Sequence, residues 1–370
     1  MEKISFKDIF DFQKKSKIKA GDGFKLGEGK YPFFTSSDTL SKTLNEFLFE
    51  DESLIFGTGG LASIHHCNEK FAVSTDCFVT QPKNNNQVFS KYVYYYLSGN
   101  MHLLENGFKG AGLKHISKGY IEDLKIPLPN LPTQQKIATI LDKADALRKY
   151  NKQLINKYDA LTQSLFLDMF GDIDSDKKFP IGTIEDVIEI VRDGPHVSPK
   201  YSENGIPILS TRNIRPFELI NEEIKYVSIE TYTEMTKRFK PQKGDILLTK
   251  GGTTGFAKIV DWDWDFCIWV HLAALRVKKD VSPKYIESAL NSYYGYNQSQ
   301  EHTRGIANKD LGLKRMIKIK LPIPPIALQN QFAERVQLIE TQKEQAQEAL
   351  VKSELLFQGL LQQAFNGELN

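Results

Sequence analysis

Residues 126 to 173 read IPLPNLPTQQKIATILDKADALRKYNKQLINKYDALTQSLFLDMFGDI, and this stretch decides the fold. From Gln134 to Phe170 it holds neither proline nor glycine. A run that long without a breaker predicts one continuous helix. Pro127, Pro129 and Pro132 stand before it, because a helix interior does not tolerate them, and Thr133 is the expected N-cap. Gly171 follows Phe170 as a C-terminal cap would. Inside the run Ile140, Ala144, Leu147, Leu154, Tyr158, Leu161 and Leu165 recur at steps of three and four, with Asn151 in the polar slot. That is a heptad seam, which needs a partner helix. The plainer alternative is a long amphipathic helix lying on a globular core.

The partner is found in the same chain. Residues 321 to 369 read LPIPPIALQNQFAERVQLIETQKEQAQEALVKSELLFQGLLQQAFNGEL. Pro127 and Pro129 match Pro322 and Pro324 at an offset of 195, and Gln134, Leu161 and Phe170 match Gln329, Leu356 and Phe365. The second seam runs through Phe332, Val336, Ile339, Ala346, Leu350, Phe357, Leu360 and Ala364, interrupted by Lys343 and Ser353. Gln134–Phe170 has six Lys/Arg and four Asp/Glu, net +2; Gln329–Phe365 has three and five, net −2. Opposite charges favour pairing these helices with each other over self-pairing.

The repeat extends outside the helices. Gly110, Lys114, Ile116 and Ile126 fall on Gly305, Lys309, Leu311 and Leu321 at the same offset. Both halves carry a strand followed by a Gly-rich turn, Ile55 to Gly60 and Leu247 to Gly255. Ser53–Phe56, Phe71–Val73, Gly205–Leu209, Asp245–Thr249 and Leu272–Val277 read as short strands. Pro283–Tyr294 reads as a helix, and Tyr92–Leu97 as a helix or strand. The expected architecture is α+β: two mixed α/β domains separated by two long helices packed as an antiparallel coiled coil, in a pseudo-twofold internal repeat. The expected boundaries are 1–130 for the first globular domain, 131–173 for the central helix, 174–325 for the second globular domain and 326–370 for the distal helix.

Composition narrows the function. A hydrophobic content of 41% over 370 residues is that of a folded protein of two or three domains. The sequence has no apolar run of membrane-span length, and MEKISFKDIF lacks the apolar core of a signal peptide. Three cysteines form no disulfide framework, so a reducing cytoplasm is expected. A net charge of +2 does not decide for or against nucleic acid.

Catalytic signatures are absent as motifs: there is no phosphate loop and no H-E-x-x-H zinc helix. Gly57-Thr-Gly-Gly-Leu-Ala62 is a tight turn rather than a dinucleotide fingerprint, since no amphipathic helix follows. His65, His66, Cys67 and Cys77 form a lone cluster without a second half, which does not make a metal site. The loops offer polar and basic groups beside glycine. In the first half these are Lys30, Tyr31, Thr35, Ser36, Ser37, Thr58, Gly59, Gly60, Lys109, Lys114 and His115. In the second they are Arg192, His196, Thr211, Arg212, Asn213, Thr249, Lys250, Thr253, Arg304, Asn308 and Lys309. Arg, Lys, Asn and His read base edges, while Ser, Thr and backbone N–H groups beside glycine approach phosphates. Loop composition alone equally describes ordinary solvated residues. Ile155, Phe166 and Leu338 lie off the assigned seam and are expected to face a partner subunit.

The two helix segments, with KYPFFTSSD, LIFGTGGLASIHH, KFAVSTDC, ILSTRNI and GDILLTKGGTTG, resemble the specificity (S) subunits of type I restriction–modification systems. The resemblance covers nearly the whole chain. It implies a non-catalytic subunit whose two target-recognition domains each read one half of a split, asymmetric DNA sequence. It implies further that the helices set the gap between the halves and dock two methyltransferase (M) subunits, with restriction (R) subunits in the full complex. No cofactor or metal is expected on this chain; S-adenosylmethionine, and ATP with Mg, belong to the partners. The first domain is shorter than the second, about 130 residues against about 150, which leaves its contacts less defined. The competing readings are a single-chain DNA methyltransferase or nuclease with diverged motifs, and a protein scaffold that does not touch DNA.

Overall fold

The structure is a computed structural model that describes residues 3–173, 178–306 and 308–369. The expected domain boundary at residue 174 lies outside the described residues. The chain divides into two units, Met1–Gln153 with Gln347–Asn370, and Leu154–Ala346. The division passes through the middle of both long helices, so each unit owns one globular part and a segment of each helix.

The first unit is built on an antiparallel sheet ordered Phe10–Phe12, Cys77–Pro82, Ser53–Gly57, Ile64–Cys67. A second sheet is ordered Phe24–Lys25, Lys42–Leu44, Tyr31–Phe34, Ala72–Val73, its last pair parallel. A ribbon of Lys3–Ser5 and Lys125–Pro127 closes the unit. Tyr92–Leu97 lies in a helix, Ser90–Gly99, whose apolar face joins Phe6, Phe10, Leu54, Phe56 and Ile126 in the core. Ile137, Leu141, Phe357, Leu361 and Ala364 of the long helices complete that core.

The second unit repeats this plan. Its antiparallel sheet is ordered Ile188–Asp193, Leu272–Val277, Ile246–Thr249, Ala257–Ile259. Its other sheet is ordered Tyr201–Ser202, Lys225–Val227, Ile206–Leu209, Cys267–Ile268, again with a parallel last pair. Its ribbon pairs Ile181–Thr183 with Lys320–Pro322. The expected helix from Pro283 ends at Asn291 and a new one begins at Tyr293, because the Ser292 hydroxyl accepts the Gly295 N–H at 3.1 Å and restarts it.

The long helices run Leu131–Phe170 and Ile326–Asn366. The first starts earlier than Thr133. Asn130 is the cap, its Oδ1 accepting the Thr133 N–H at 2.9 Å, and Pro132 sits in the first turn, where its missing N–H costs nothing. Gly171 ends the helix with φ 77°, and Gly367 ends the other with φ 85°. Tyr92 donates to the Pro127 carbonyl at 2.8 Å, and Tyr285 donates to the Pro322 carbonyl at 2.6 Å. Gln134 accepts from the Phe89 N–H at 2.9 Å and donates to Pro129 O at 2.8 Å. Gln329 accepts from the Ser282 N–H at 2.9 Å and donates to Pro324 O at 2.8 Å. These braces explain why the Pro-x-Pro and Gln positions recur at a fixed offset. Gln329→Leu strands a buried N–H and carbonyl, so a loss of about 1–3 kcal/mol is expected in urea unfolding. A midpoint equal to that of the unsubstituted protein would show the brace to be idle.

The helices pair antiparallel within each unit. In the first, Asn151 donates to the Ser353 hydroxyl at 3.2 Å and Arg148 lies over the Phe357 ring at 4.5 Å. In the second, Lys343 meets Asp159 at 2.5 Å and the Phe166 and Phe332 rings pack with centroids 5.8 Å apart. The seam of the distal helix is as the spacing predicts, with Leu361 buried beside Leu360. The seam of the first helix differs: it follows Ile137, Leu141, Ala144, Arg148, Asn151, Ile155, Tyr158, Thr162 and Phe166. Leu147 and Leu161 are exposed instead, since Ala144, Asn151 and Tyr158 keep their places while the alternate seam position of each heptad falls one residue later, at Arg148, Ile155 and Thr162. Phe166 is therefore buried against Tyr285 and Phe332, and Ile155 half-buried, so neither faces outward; Leu338 does, at 69% exposure. No described helix is long and apolar enough to cross a membrane.

Candidate nucleic-acid interface

In the second unit the strand Ile246–Thr249 delivers the chain into a turn from Lys250 to Gly255. That turn is stitched to the loop 304–311. Gly252 N–H donates to Lys309 O at 3.0 Å, and Leu311 N–H donates to Lys250 O at 2.7 Å. The Lys250 ammonium is buried and held 3.1 Å from Asp193, 3.7 Å from Asp310 and 3.1 Å from Val270 O. One cation thus ties together three loops, those of Asp193, Lys250 and Asp310. Lys250 cannot reach a base or phosphate without abandoning two carboxylates. Thr249 is buried too, accepting the Phe256 N–H at 2.9 Å. Asn213 is buried, its amide oxygen taking the Ser210 N–H at 2.9 Å and its amide nitrogen donating to Ile220 O. These three belong to the loop framework, a correction to their assignment as contact residues.

Arg192, His196, Arg212, Thr253, Arg304, Asn308 and Lys309 remain exposed, and Thr211 half-exposed. Arg215 joins them, on the hairpin Ile214–Arg215 and Glu218–Leu219. Its turn holds Phe217 at φ 65°, a strained conformation for an aromatic residue. Sequence reading passed over Arg215, although Arg-Pro-Phe between two short apolar runs is a hairpin signal. A cleft of 930 Å³ lies beside this face, lined by Arg192, His196, Lys200, Glu234, Arg238 and Cys267. Burial pushes the Cys267 thiol up to about 12 and the Cys77 thiol up to about 11, so neither supplies a thiolate at neutral pH.

The first unit carries the same stitch. Gly60 N–H donates to Lys114 O at 3.2 Å, and Ile116 N–H donates to Thr58 O at 3.1 Å. Thr58 is buried, and the Ser36 hydroxyl accepts the Thr58 and Gly59 N–H groups, each at 3.2 Å, while donating to Asp76 O at 2.7 Å. Ser36 and Thr58 are therefore framework as well. Lys109, Lys114 and His115 are exposed on the loop, with the His115 ring 3.1 Å from Thr58 O. Thr35 is half-buried; Tyr31 opens the strand Tyr31–Phe34 of the second sheet and Lys30 precedes it, its ammonium 5.2 Å from the Tyr31 ring centroid. His65 contacts Ser37 O at 2.8 Å and His66 contacts Glu52 at 2.7 Å. The hydrogen bond from His66 holds the Glu52 carboxyl below the usual range. Among the described residues no group of His, Cys, Asp and Glu is arranged to hold a metal.

The chain is similar to known proteins in sequence and in fold. The family described as "Type I restriction modification DNA specificity domain" matches residues 1–158 and 177–352. The MjaVIII specificity subunit of Methanocaldococcus jannaschii is 25% identical, covering 88% of this chain and 84% of that protein. The EcoKI specificity subunit of Escherichia coli K12 is 22% identical, covering 84% and 72%. The fold is similar to that of the S subunit of a type I restriction-modification system from M. genitalium, with a TM-score of 0.66 and 17% identity over 98% of this chain and 95% of that one. A chain from a structure concerned with complex assembly and conformational transition of the type I R-M system aligns at a TM-score of 0.57 and 15% identity, covering 99% and 98%. With two matched copies spanning most of its length, the chain belongs to the type I restriction modification DNA specificity domain family.

Proposed function

We propose that each unit reads one half of a bipartite, asymmetric DNA target through its stitched pair of loops. The observation that carries this is the recurrence, in both units, of the same two hydrogen bonds holding a Gly-rich turn against a loop with exposed cations: Lys109 and Lys114 in one, Arg304 and Lys309 in the other. Exposed Arg and Lys on a rigid backbone suit base edges and phosphates. In this reading the chain performs no catalysis. The long helices set the gap between half-sites and dock two methyltransferase subunits, which bring S-adenosylmethionine, and restriction subunits add ATP and Mg. Leu338, Leu355 and Val351, exposed on the distal helix, suit that docking role. A cytoplasmic location goes with it.

The test is to assemble the chain with its methyltransferase subunits and map methylated adenines in exposed DNA. A split motif is expected, with no methyl transfer by the chain alone. Arg212→Ala should relax one half only, by about 1–3 kcal/mol if the guanidinium reads a base. A contiguous motif, or methylation by the isolated chain, would favour the single-chain methyltransferase instead. A footprint that does not need both units would also count against a bipartite reader.

A further inference from the structure

The stitched loops carry something besides charge. Gly110 and Gly305, related by the repeat offset of 195, both adopt positive φ, 146° and 90°. At each, a Cβ would strike the carbonyl oxygen three residues on, Leu113 O at 2.8 Å and Asn308 O at 2.2 Å. Each tip therefore turns on a glycine that leaves no room for a side chain, Gly110 in one unit and Gly305 in the other. Each presents one large aliphatic side chain to solvent: Leu113 at 78% and Ile306 at 100% exposure. A second leucine, Leu61 at 82%, projects from the turn stitched to the first tip. A lone exposed leucine is ordinary. A largely solvated aliphatic residue on the corresponding loop of both units, at a different position within each, is a repeated feature, and it calls for a shared cause.

The surroundings identify the occupant. Lys109 and Lys114 flank Leu113, and Arg304 and Lys309 flank Ile306. Among the described residues none of the three lysines has an ion-pair partner. An apolar protein surface would have to desolvate those cations, whereas a nucleic-acid duplex offers phosphates to them and an apolar stack of bases between. The tips are also held rigid: the stitch hydrogen bonds fix one side of each loop, and the paired bonds between Arg304 and Asp310, 2.9 and 2.8 Å, close the second. A flexible loop would fold its aliphatic residue back onto the protein. A pinned one keeps it outward.

We infer that Leu113 and Ile306 are wedges that enter a base step in each half-site and unstack it, with the flanking cations seated on the adjoining phosphates. Side chains of this size inserted between steps part the bases and bend the duplex. The step entered would be chosen by how readily it opens, which favours pyrimidine–purine steps. Each unit would then read deformability at a position where it makes no hydrogen bond to a base. This inference rests on the proposed DNA-reading role.

The experiment uses the chain assembled with its methyltransferase subunits and a duplex carrying the mapped target. The fluorescent analogue 2-aminopurine is placed in turn at each position except the methylated adenines. The unsubstituted complex should raise the fluorescence at one step in each half-site. Leu113→Ala should abolish the signal in one half and Ile306→Ala in the other, each lowering affinity roughly tenfold. A mismatch built into that step should restore the affinity, and Leu113→Met should keep both signal and binding. A complex that binds the target with no unstacked step, or alanine variants whose loss a mismatch does not repair, overturns the wedge and leaves the reading of the units intact. Failure of the unsubstituted complex to bind any split target overturns that reading itself.

Discussion

Phe332→Ala is expected to lower the stability of the second unit by about 3–5 kcal/mol, the usual cost of emptying a phenylalanine site in a packed core. The ring is fully buried. It meets Phe170 at 5.2 Å, Phe166 at 5.8 Å and Tyr285 at 6.4 Å between centroids, mostly edge to face. Removing it takes away the ring contacts that Phe170 and Phe166 make with the distal helix and leaves a cavity in the core. The same residues hold Tyr285, whose hydroxyl caps the Pro322 carbonyl, so the damage extends from the helix pair to the brace at the helix start. Chemical denaturation followed by tryptophan fluorescence is a suitable readout, because all three tryptophans, Trp262, Trp264 and Trp269, belong to this unit. A shift under about 1 kcal/mol would mean that the aromatic cluster does not support the unit.

Lengthening both helices by one heptad, beside Asn151 and beside Ser353, is expected to change the target rather than abolish recognition. Seven residues preserve the seam and add about 10 Å at 1.5 Å per residue. At roughly 3.4 Å per base pair, the gap between half-sites should grow by up to about three pairs, while the bases read at each end stay the same. Four residues add about 6 Å and a rotation of roughly 40°. That smaller insertion should move the gap less and demand twisting of the duplex. Methylation mapping with each variant decides the matter: an unchanged gap in an active complex would remove the helices from any part in spacing.

Much of the fold was legible because it is written twice. The offset of 195 predicted the paired helices, and it reflects a shared cause, the glutamine and tyrosine braces on each Pro-x-Pro segment. The same offset held a signal that heptad counting missed. Subtracting 195 from Phe332, Val336, Ile339 and Leu350 gives Ile137, Leu141, Ala144 and Ile155, the observed first seam. Leu147 and Leu161 misled the count because a leucine looks alike in sequence whether it faces a partner helix or solvent. The candidate site was less legible for a different reason. Lys250 has the chemistry to read DNA, but its partners Asp193 and Asp310 lie about sixty residues away on either side, and sequence order does not display them. Asn213 is held by nearby backbone, Ser210 and Ile220, in a turn that its composition does not distinguish from an open loop. Exposure selected Arg212 and Lys309 and added Arg215, by a criterion that composition cannot supply.

The glutamine braces carry a consequence for exchange of parts. Gln134 sits in the helix but bonds backward to Gln87, Phe89 and Pro129 of its globular part. A recombination joint placed where the globular sequence ends, between Pro127 and Gln134, would cut that mutual support and pair each donor's loops with a foreign glutamine register. A joint placed inside the helix near Gln153, where the two units divide, would carry the brace along intact. Inheritance of a new specificity is therefore cleanest when a globular part travels with the first turns of its helix, so the transferable cassette is longer than the surface that meets the ligand.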